Sequence, residues 1–298
     1  YMKAFIFTFL FVMSSPVWAQ LSVFACEPEW ASLTKELGGD DVSVFSATRG
    51  LQDPHYIQAR PSLIAKARQT DLLVCTGAEL ETGWLPLLQR KAGNPNIQRG
   101  AEGYFMASDY IRLLDKPVMV DRSQGDVHAS GNPHIQTSPE NIINVAKALT
   151  QRLKKRDPEN ANNYEQRWQD FEQRWQAAMN QWQQKAAPLK GVPIAVQHKN
   201  WIYLVNWLGL NEVAVLEAKP AVPPTVNQLQ SVVEKLKQTP AKMVIVAAYQ
   251  SSRATDWLVD KTGITKVVLP FTVGGNEQST NLFELYDNTI DLLLDGAK

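Results

Sequence analysis

The chain has 298 residues, with 30 basic and 30 acidic side chains and a formal net charge of +0 at pH 7. That balance argues against nucleic acid as a partner, which would ask for a basic excess. The length allows one large domain or two of moderate size.

The N-terminus carries Lys3, an apolar run over residues 4–13, and then Ser14-Ser15-Pro16-Val17-Trp18-Ala19. A charged start, a short apolar stretch and a small-residue site read as a signal peptide over residues 1–19, cleaved after Ala19. The run falls short of the roughly 20 apolar residues that a spanning helix needs. The residue directly after Ala19 is Gln20 and not cysteine, which argues against a lipid anchor. The expectation is an exported, soluble, periplasmic protein, in a compartment where Cys26 and Cys75 can pair.

Residues 21–25 read as a short buried strand ending at Cys26-Glu27-Pro28, followed by a helix over residues 29–37 that Gly38-Gly39 stops. Residues 41–47 alternate Val42 and Val44 with polar neighbours, a second strand. The loop at 48–60 holds Asp53-Pro54-His55, and Pro61-Ser62 opens a helix to about residue 69. A third strand covers 71–75, and residues 80–91 read as helical with a bend at Pro86. This alternation predicts a parallel sheet with crossover helices. Ligands of such sheets bind beyond the carboxyl ends of the strands, where His55 falls. Cys26 and Cys75 end the first and third strands, neighbours in the common order 2-1-3. A disulfide between them is therefore geometrically open, with two buried thiols as the alternative.

Residues 93–125 read as irregular, with a short strand at 118–120. The polar segment that follows carries His128 and then Asn132-Pro133-His134. Ser138-Pro139-Glu140 opens a helix to about residue 155, serine at the cap and proline at the first position. Asp157-Pro158-Glu159 opens another, running to about residue 187 with no further glycine or proline. Its Tyr164, Trp168, Phe171, Trp175, Ala178, Met179 and Trp182 recur by threes and fours, the stripe of a core-packing face. At 1.5 Å per residue such a helix is about 45 Å long, the size of a strut across two lobes. Alternation then resumes: a strand at 192–196 ending at Gln197-His198, a helix at 200–208, a strand at 212–216 and a proline-rich loop at 219–224. A helix at 225–238, a strand at 242–247, a helix at 251–261, a strand at 267–269 and a closing helix at 281–294 complete the chain. The fold class expected is α/β. Two Rossmann-like lobes with parallel sheets, residues 20–156 and 191–298, are joined by one long helix within 157–190.

All four histidines lie beside turn residues, His55 and His134 in the first lobe and His198 in the second. Neutral imidazoles facing each other across a cleft point to a metal site for zinc or a similar ion. No short metal motif such as His-Glu-x-x-His is present. Asp53-Pro54-His55-Tyr56 running to Arg60-Pro61-Ser62, then Gly131-Asn132-Pro133-His134 before Ser138-Pro139-Glu140-Asn141, then Gln197-His198 with Trp201 to Gly209-Leu210, stand in an order that resembles the ligand loops of the zinc/manganese solute-binding proteins of ABC importers. The start Cys26-Glu27-Pro28-Glu29-Trp30 and the long helix fit the same family, and the resemblance covers essentially the whole mature chain.

That resemblance implies an exported carrier, a monomer and not an enzyme, that captures Zn2+ on His55, His134 and His198 and delivers it to a membrane permease. Manganese members carry glutamate where this chain has His198, so the zinc class is implied and Mn2+ is the lesser alternative. Many members also supply a carboxylate after the last strand, but residues 269–275 contain no acid before Glu277. The fourth ligand is thus open among His128, water, Asp53 and Glu277. His128 has two other readings, a transient zinc acceptor at the entrance and a plain surface histidine. Two alternatives to a carrier are a zinc-dependent hydrolase with an open three-histidine site and an adhesin or structural protein that zinc stabilises. A hydrolase would need a general base such as Glu79 or Glu81, and both are expected to be solvated residues opening a helix.

Overall fold

A computed structural model describes residues 20–117, 128–219 and 222–298. The expected signal peptide at 1–19 and the expected strand at 118–120 lie outside the described residues. Two four-stranded parallel sheets form the frame. The first contains β1 (Leu21–Ala25), β2 (Val42–Ser46), β3 (Leu72–Cys75) and β4 (Tyr104–Met106) in the order β2-β1-β3-β4. The second contains β5 (Pro193–Val196), β6 (Asn211–Val215), β7 (Met243–Ala247) and β8 (Thr265–Leu269) in the order β6-β5-β7-β8. The inner strands β3 and β7 are buried at every residue. Their unbroken apolar runs, Leu-Leu-Val-Cys and Met-Val-Ile-Val-Ala, are what a strand covered on both faces requires.

The crossover helices of the first sheet are α1 (Pro28–Gly38), α2 (Pro61–Arg68) and α3 (Leu85–Ala92), and each has proline in its first two positions, where no amide hydrogen is missed. Then come α4 (Pro139–Arg156), α5 (Ala161–Lys185), α6 (Ile202–Leu208), α7 (Val226–Gln238), α8 (Arg253–Thr262) and α9 (Leu282–Gly296). Helices α6 and α8 end on left-handed Gly209 and Gly263, with φ of 66° and 70°. Thr225 and Gln228 close a capping box at the start of α7. No helix among the described residues is long and apolar enough to cross a membrane.

Three local expectations change. Residues 104–106, expected to be irregular, pair with β3 as the edge strand β4. Helix α3 starts at Leu85 rather than at 80, so Pro86 sits in its first turn and bends nothing. The stretch before it turns through positive φ at Gly77, Ala78 and Glu79. The long helix is 25 residues, about 38 Å at 1.5 Å per residue, preceded by a 3-10 turn at Pro158–Asn160.

Helix α5 packs on α1, α4 and α9. Its stripe Tyr164, Trp168, Phe171, Trp175, Met179 and Trp182 is buried, while Ala178 is half-buried. Two indoles fix the attachments to α4 and α9: Trp175 Nε1 donates to the Pro139 carbonyl at 2.9 Å, and Trp182 Nε1 to Asp287 Oδ1 at 2.7 Å. One apolar core runs from Val23, Leu72 and Val74 through this helix to Ile194, Ile245 and Leu293. Each fully buried aliphatic or aromatic side chain contributes about 1.5–3 kcal/mol, so sliding one sheet against the other would expose a costly seam. Cys26 and Cys75 are disulfide-bonded, with Cα atoms 4.8 Å apart, as the 2-1-3 order allows.

Candidate metal centre

The two proline-histidine loops are built alike. In each, an Asx residue two positions before the histidine accepts the histidine's backbone N–H: Asp53 Oδ1 from His55 at 3.0 Å, and Asn132 Oδ1 from His134 at 3.1 Å. Short polar side chains favour such turns, and the intervening proline fixes φ. Trp84 Nε1 donates to the Pro54 carbonyl at 2.9 Å and pins the first loop. The second loop is held from the other lobe. Asn132 Nδ2 donates to the Lys199 carbonyl at 2.7 Å, and the Tyr203 hydroxyl donates to the Asn132 carbonyl at 2.6 Å.

His198 leaves β5 through Gln197, and its Nδ1 lies 2.8 Å from Glu217 Oε2. His55 Nδ1 lies 2.7 Å from Asp53 Oδ1. With Nδ1 of both rings engaged by a carboxylate, the Nε2 atoms are left for another partner. His55 Nε2 stands 3.4 Å from His128 Nε2. The rings form one chain of neighbours, with centroid separations of 5.4 Å (His55–His128), 5.5 Å (His55–His134), 6.3 Å (His128–His134) and 6.1 Å (His134–His198). The fold thus brings all four histidines to one place, between the ends of the two sheets. No three of them yet have donors mutually within 4.8 Å. Among the described residues, the trio that does is Cys26, Cys75 and Glu81, whose sulfurs are bonded to each other. A shared ion would have to draw the imidazoles in.

His134 is the deepest member, at 1% exposure, and its Nδ1 has no hydrogen-bond partner among the described residues. Burial first, then the neighbouring imidazoles, push its pKa well below the ordinary histidine value, which keeps the ring neutral and able to donate a lone pair. For Asp53, burial opposes ionisation, but the hydrogen bond and charge of His55 outweigh it and hold the carboxyl below its usual range. Where relatives were expected to supply a carboxylate, Phe271 packs edge-to-face on His134 at 5.2 Å. Glu277 is exposed.

At residues 79 and 81 the expected helix start is corrected, since the helix begins at Leu85, and so is the solvation expected of Glu81. Glu79 is exposed but engaged: it accepts from Ala129 N at 2.5 Å and Ser130 Oγ at 3.1 Å, which anchors the segment that follows His128. Glu81 is not solvated; it is 2% exposed and accepts from Thr76 N and Gly77 N at 2.8 and 3.1 Å. Glu81 belongs to a buried carboxyl group with Glu27 and Glu29. Desolvation raises Glu27 well above its ordinary value, reinforced by the charges of Glu81 and Glu29, and lifts Glu29 and Glu81 to about 7. Sequence reasoning did not find Glu217. Its only signal was an acid just beyond the strand beside the one that ends at His198.

A sequence profile of the family described as ZnuA, the periplasmic zinc-uptake complex component A, matches residues 23–296. The manganese ABC transporter substrate-binding lipoprotein PsaA of Streptococcus pneumoniae serotype 4 is 24% identical over 282 residues, which is 93% of this chain and 89% of PsaA. The crystal structure of ZnuA superposes with a TM-score of 0.75 at 20% identity, covering 92% of this chain and 99% of that one. The Cd-bound periplasmic metal binding protein from Candidatus Liberibacter asiaticus superposes with a TM-score of 0.76 at 16% identity, covering 94% and 100%. At those identities the structural likeness speaks to the fold.

Proposed function

This chain belongs to the family of the periplasmic zinc-uptake component A, and from that premise we propose that it is the exported substrate-binding protein of a metal ABC importer. It holds Zn2+ between its lobes on His55, His134 and His198 and hands the ion to a membrane permease. The observation that carries this reading is the convergence of imidazoles from both lobes, with Nδ1 of His55 and of His198 already engaged by Asp53 and Glu217. Such outer carboxylates orient a ligating ring and raise its basicity. Buried His134, with a ring nitrogen lacking a partner, gains one when an ion binds.

His128 is the fourth donor. Imidazole nitrogens at about 2.0–2.1 Å from a tetrahedral zinc stand about 3.3 Å apart, and the His55–His128 pair has that spacing. A nitrogen-rich donor set favours zinc over manganese, which prefers oxygen donors. The relatives' names include both metals, so the choice of zinc rests on His198 and His128 in this chain. The signal peptide over residues 1–19 delivers the protein to the periplasm, where it acts as a monomer. The shared core along α5 limits the lobes to small relative motion.

A hydrolase would need a free base at the ion. The carboxylates lining the cleft, Asp53 and Glu217, are committed to His55 and His198, and Glu79 and Glu81 are engaged elsewhere. The test is a competitive titration of chelator-stripped protein with Zn2+ and Mn2+, followed by unfolding with and without metal. Zinc should displace manganese, and the stripped protein should stay folded. His134→Ala should weaken zinc binding by about a hundredfold, because one of four ligands carries about 3 of the roughly 12 kcal/mol typical of a bound zinc. Unchanged affinity in that variant overturns the ligand assignment, and unfolding on stripping turns the reading to a structural zinc.

A further inference from the structure

The two proline-histidine loops share a turn but differ in one group. His55 follows Asp53, and His134 follows Asn132, at the same spacing. Either side chain supplies the oxygen that takes the histidine's backbone N–H. Only the amide adds a donor, because an ionised carboxylate can do no more than accept. In the first loop Asp53 Oδ1 also meets the His55 ring, at 2.7 Å, so its second bond stays local. In the second loop Asn132 Nδ2 reaches out of its own lobe and donates to the Lys199 carbonyl at 2.7 Å. Lys199 directly follows His198. One side chain thus spans the backbones that carry His134 and His198.

Asn132 is itself held at every polar group. Its N–H donates to the Leu114 carbonyl at 2.8 Å, and its carbonyl accepts from the Tyr203 hydroxyl at 2.6 Å. The same hydroxyl accepts from Leu114 N at 3.1 Å, so Tyr203 bridges the two segments that meet there. Gly131, with φ of 123°, permits that approach: a Cβ on it would meet the Leu114 carbonyl at 2.9 Å. Past the histidine, the Tyr286 hydroxyl donates to the Gln136 carbonyl at 2.7 Å. Tyr203 lies on α6 and Tyr286 on α9, so the second lobe grips the backbone on both sides of His134. Asn132 and both tyrosines are buried. A buried donor or acceptor that loses its partner is costly, so these bonds resist displacement.

We propose that Asn132 is a positioning residue for the metal centre: backed by Tyr203, it sets His134 against His198 across the lobe seam before an ion arrives. This rests on the reading of His134 and His198 as metal ligands. It adds that their spacing belongs to the scaffold and is not imposed by the ion. Ligands already held in place lose less freedom on binding, and the affinity of the site gains by that amount. The proposal also accounts for an amide at 132 where the first loop has an acid. An aspartate there would keep the turn but set a carboxylate oxygen against the Lys199 carbonyl.

Asn132→Asp therefore tests the tie with the turn intact. Its added negative charge would by itself tighten a cation, so weaker binding reports lost position. Tyr203→Phe removes the backing with no change of charge. The whole chain, stripped of metal, is titrated with Zn2+ in competition with a chromophoric chelator. It is titrated separately with Co2+, whose visible bands report coordination geometry. Each variant should bind zinc about tenfold more weakly, the low end for a residue that supports a metal ligand, and should shift the Co2+ bands. A merely structural role would lower the urea midpoint of the metal-free variants and leave zinc affinity and the Co2+ bands as in the wild type, which overturns the proposal. Tighter zinc binding by Asn132→Asp overturns it as well. His134→Ala separates this from the ligand reading. If that variant loses zinc while Asn132→Asp and Tyr203→Phe do not, the positioning role falls and the ligands stand. If it binds zinc as the wild type does, the ligand reading falls and the positioning role with it.

Discussion

The two sheets share one strand order, yet their corresponding strand ends do opposite work. The first strand of the first sheet, β1, runs straight into Cys26, which is tied to Cys75 after β3. The equivalent strand of the second sheet, β5, runs into Gln197 and His198. In the first lobe the central edge is therefore closed by a disulfide over three buried carboxyl groups, and the histidines come from outlying loops. In the second lobe the central edge itself presents the imidazole, and Glu217, beyond β6, supports it. The same is true past the last strands: Phe271, beyond β8, packs on a histidine that the first lobe supplies. The fold fixes where chemistry can be placed, and the residues at each strand end decide whether that place is stapled or offered to a ligand.

The largest expected effect comes from opening the staple. The disulfide closes a loop across a sequence separation of 49. Loop-closure entropy for that span gives about 4 kcal/mol at 25 °C. Cys26→Ala combined with Cys75→Ala should lower the urea midpoint accordingly, while zinc affinity changes by less than about threefold, because no histidine sits on either stapled strand end. A large loss of affinity at unchanged stability would mean that the first lobe's central edge belongs to the site after all, and the contrast between the lobes would fail.

The buried carboxyls sharpen the same contrast through pH. Glu29 and Glu81 are lifted to about 7, and Glu27 is raised well above its ordinary value. Between about pH 4.5 and 7 the unfolded chain releases these protons while the folded chain keeps them. The folded state then binds more protons, and stability falls as pH rises. His134, with its lowered pKa, works the other way below about pH 6.5, but it is one group against three. Metal-stripped protein should lose about 1.4 kcal/mol per pH unit for each net proton, which is roughly 3–4 kcal/mol per net proton across the window. Glu81→Gln should flatten the curve measured by denaturant unfolding, and a curve that rises through this window would contradict the buried cluster.

Much of this architecture was legible because the chain punctuates it locally. Prolines mark helix starts, apolar runs mark the buried strands, and the two Asx-Pro-His turns announce themselves in three residues each. The expected sheet order left a bond between Cys26 and Cys75 open beside two buried thiols, and the structure shows the bond. What the sequence hid was long-range or too short to leave a period. β4 is three residues, with no alternation to detect. The burial of Glu81 depends on amides of Thr76 and Gly77 that turn toward it through positive φ, and propensity alone favours a solvated helix start there. Glu217 reaches His198 from 19 residues away, across neighbouring strands, a distance at which no spacing rule operates. The convergence of His128 on His55, 73 residues apart, is of the same kind.

The smallest expected effect sets one supporting carboxylate against the other. Asp53 and Glu217 hold corresponding positions behind His55 and His198, but their side chains are 34% and 10% exposed. Removing such a partner typically weakens metal binding 10–100-fold. An interaction screened by solvent should lie at the low end of that range, and one shielded from solvent at the high end. Asp53→Asn, which keeps an oxygen for the His55 backbone turn, should cost about tenfold in zinc affinity. Glu217→Gln should cost more, toward a hundredfold. Because the second lobe supplies a single imidazole, it has no neighbouring ligand of its own to share the loss. If competition titrations rank the two variants in the opposite order, the first lobe's loops, and not the end of β5, set the affinity.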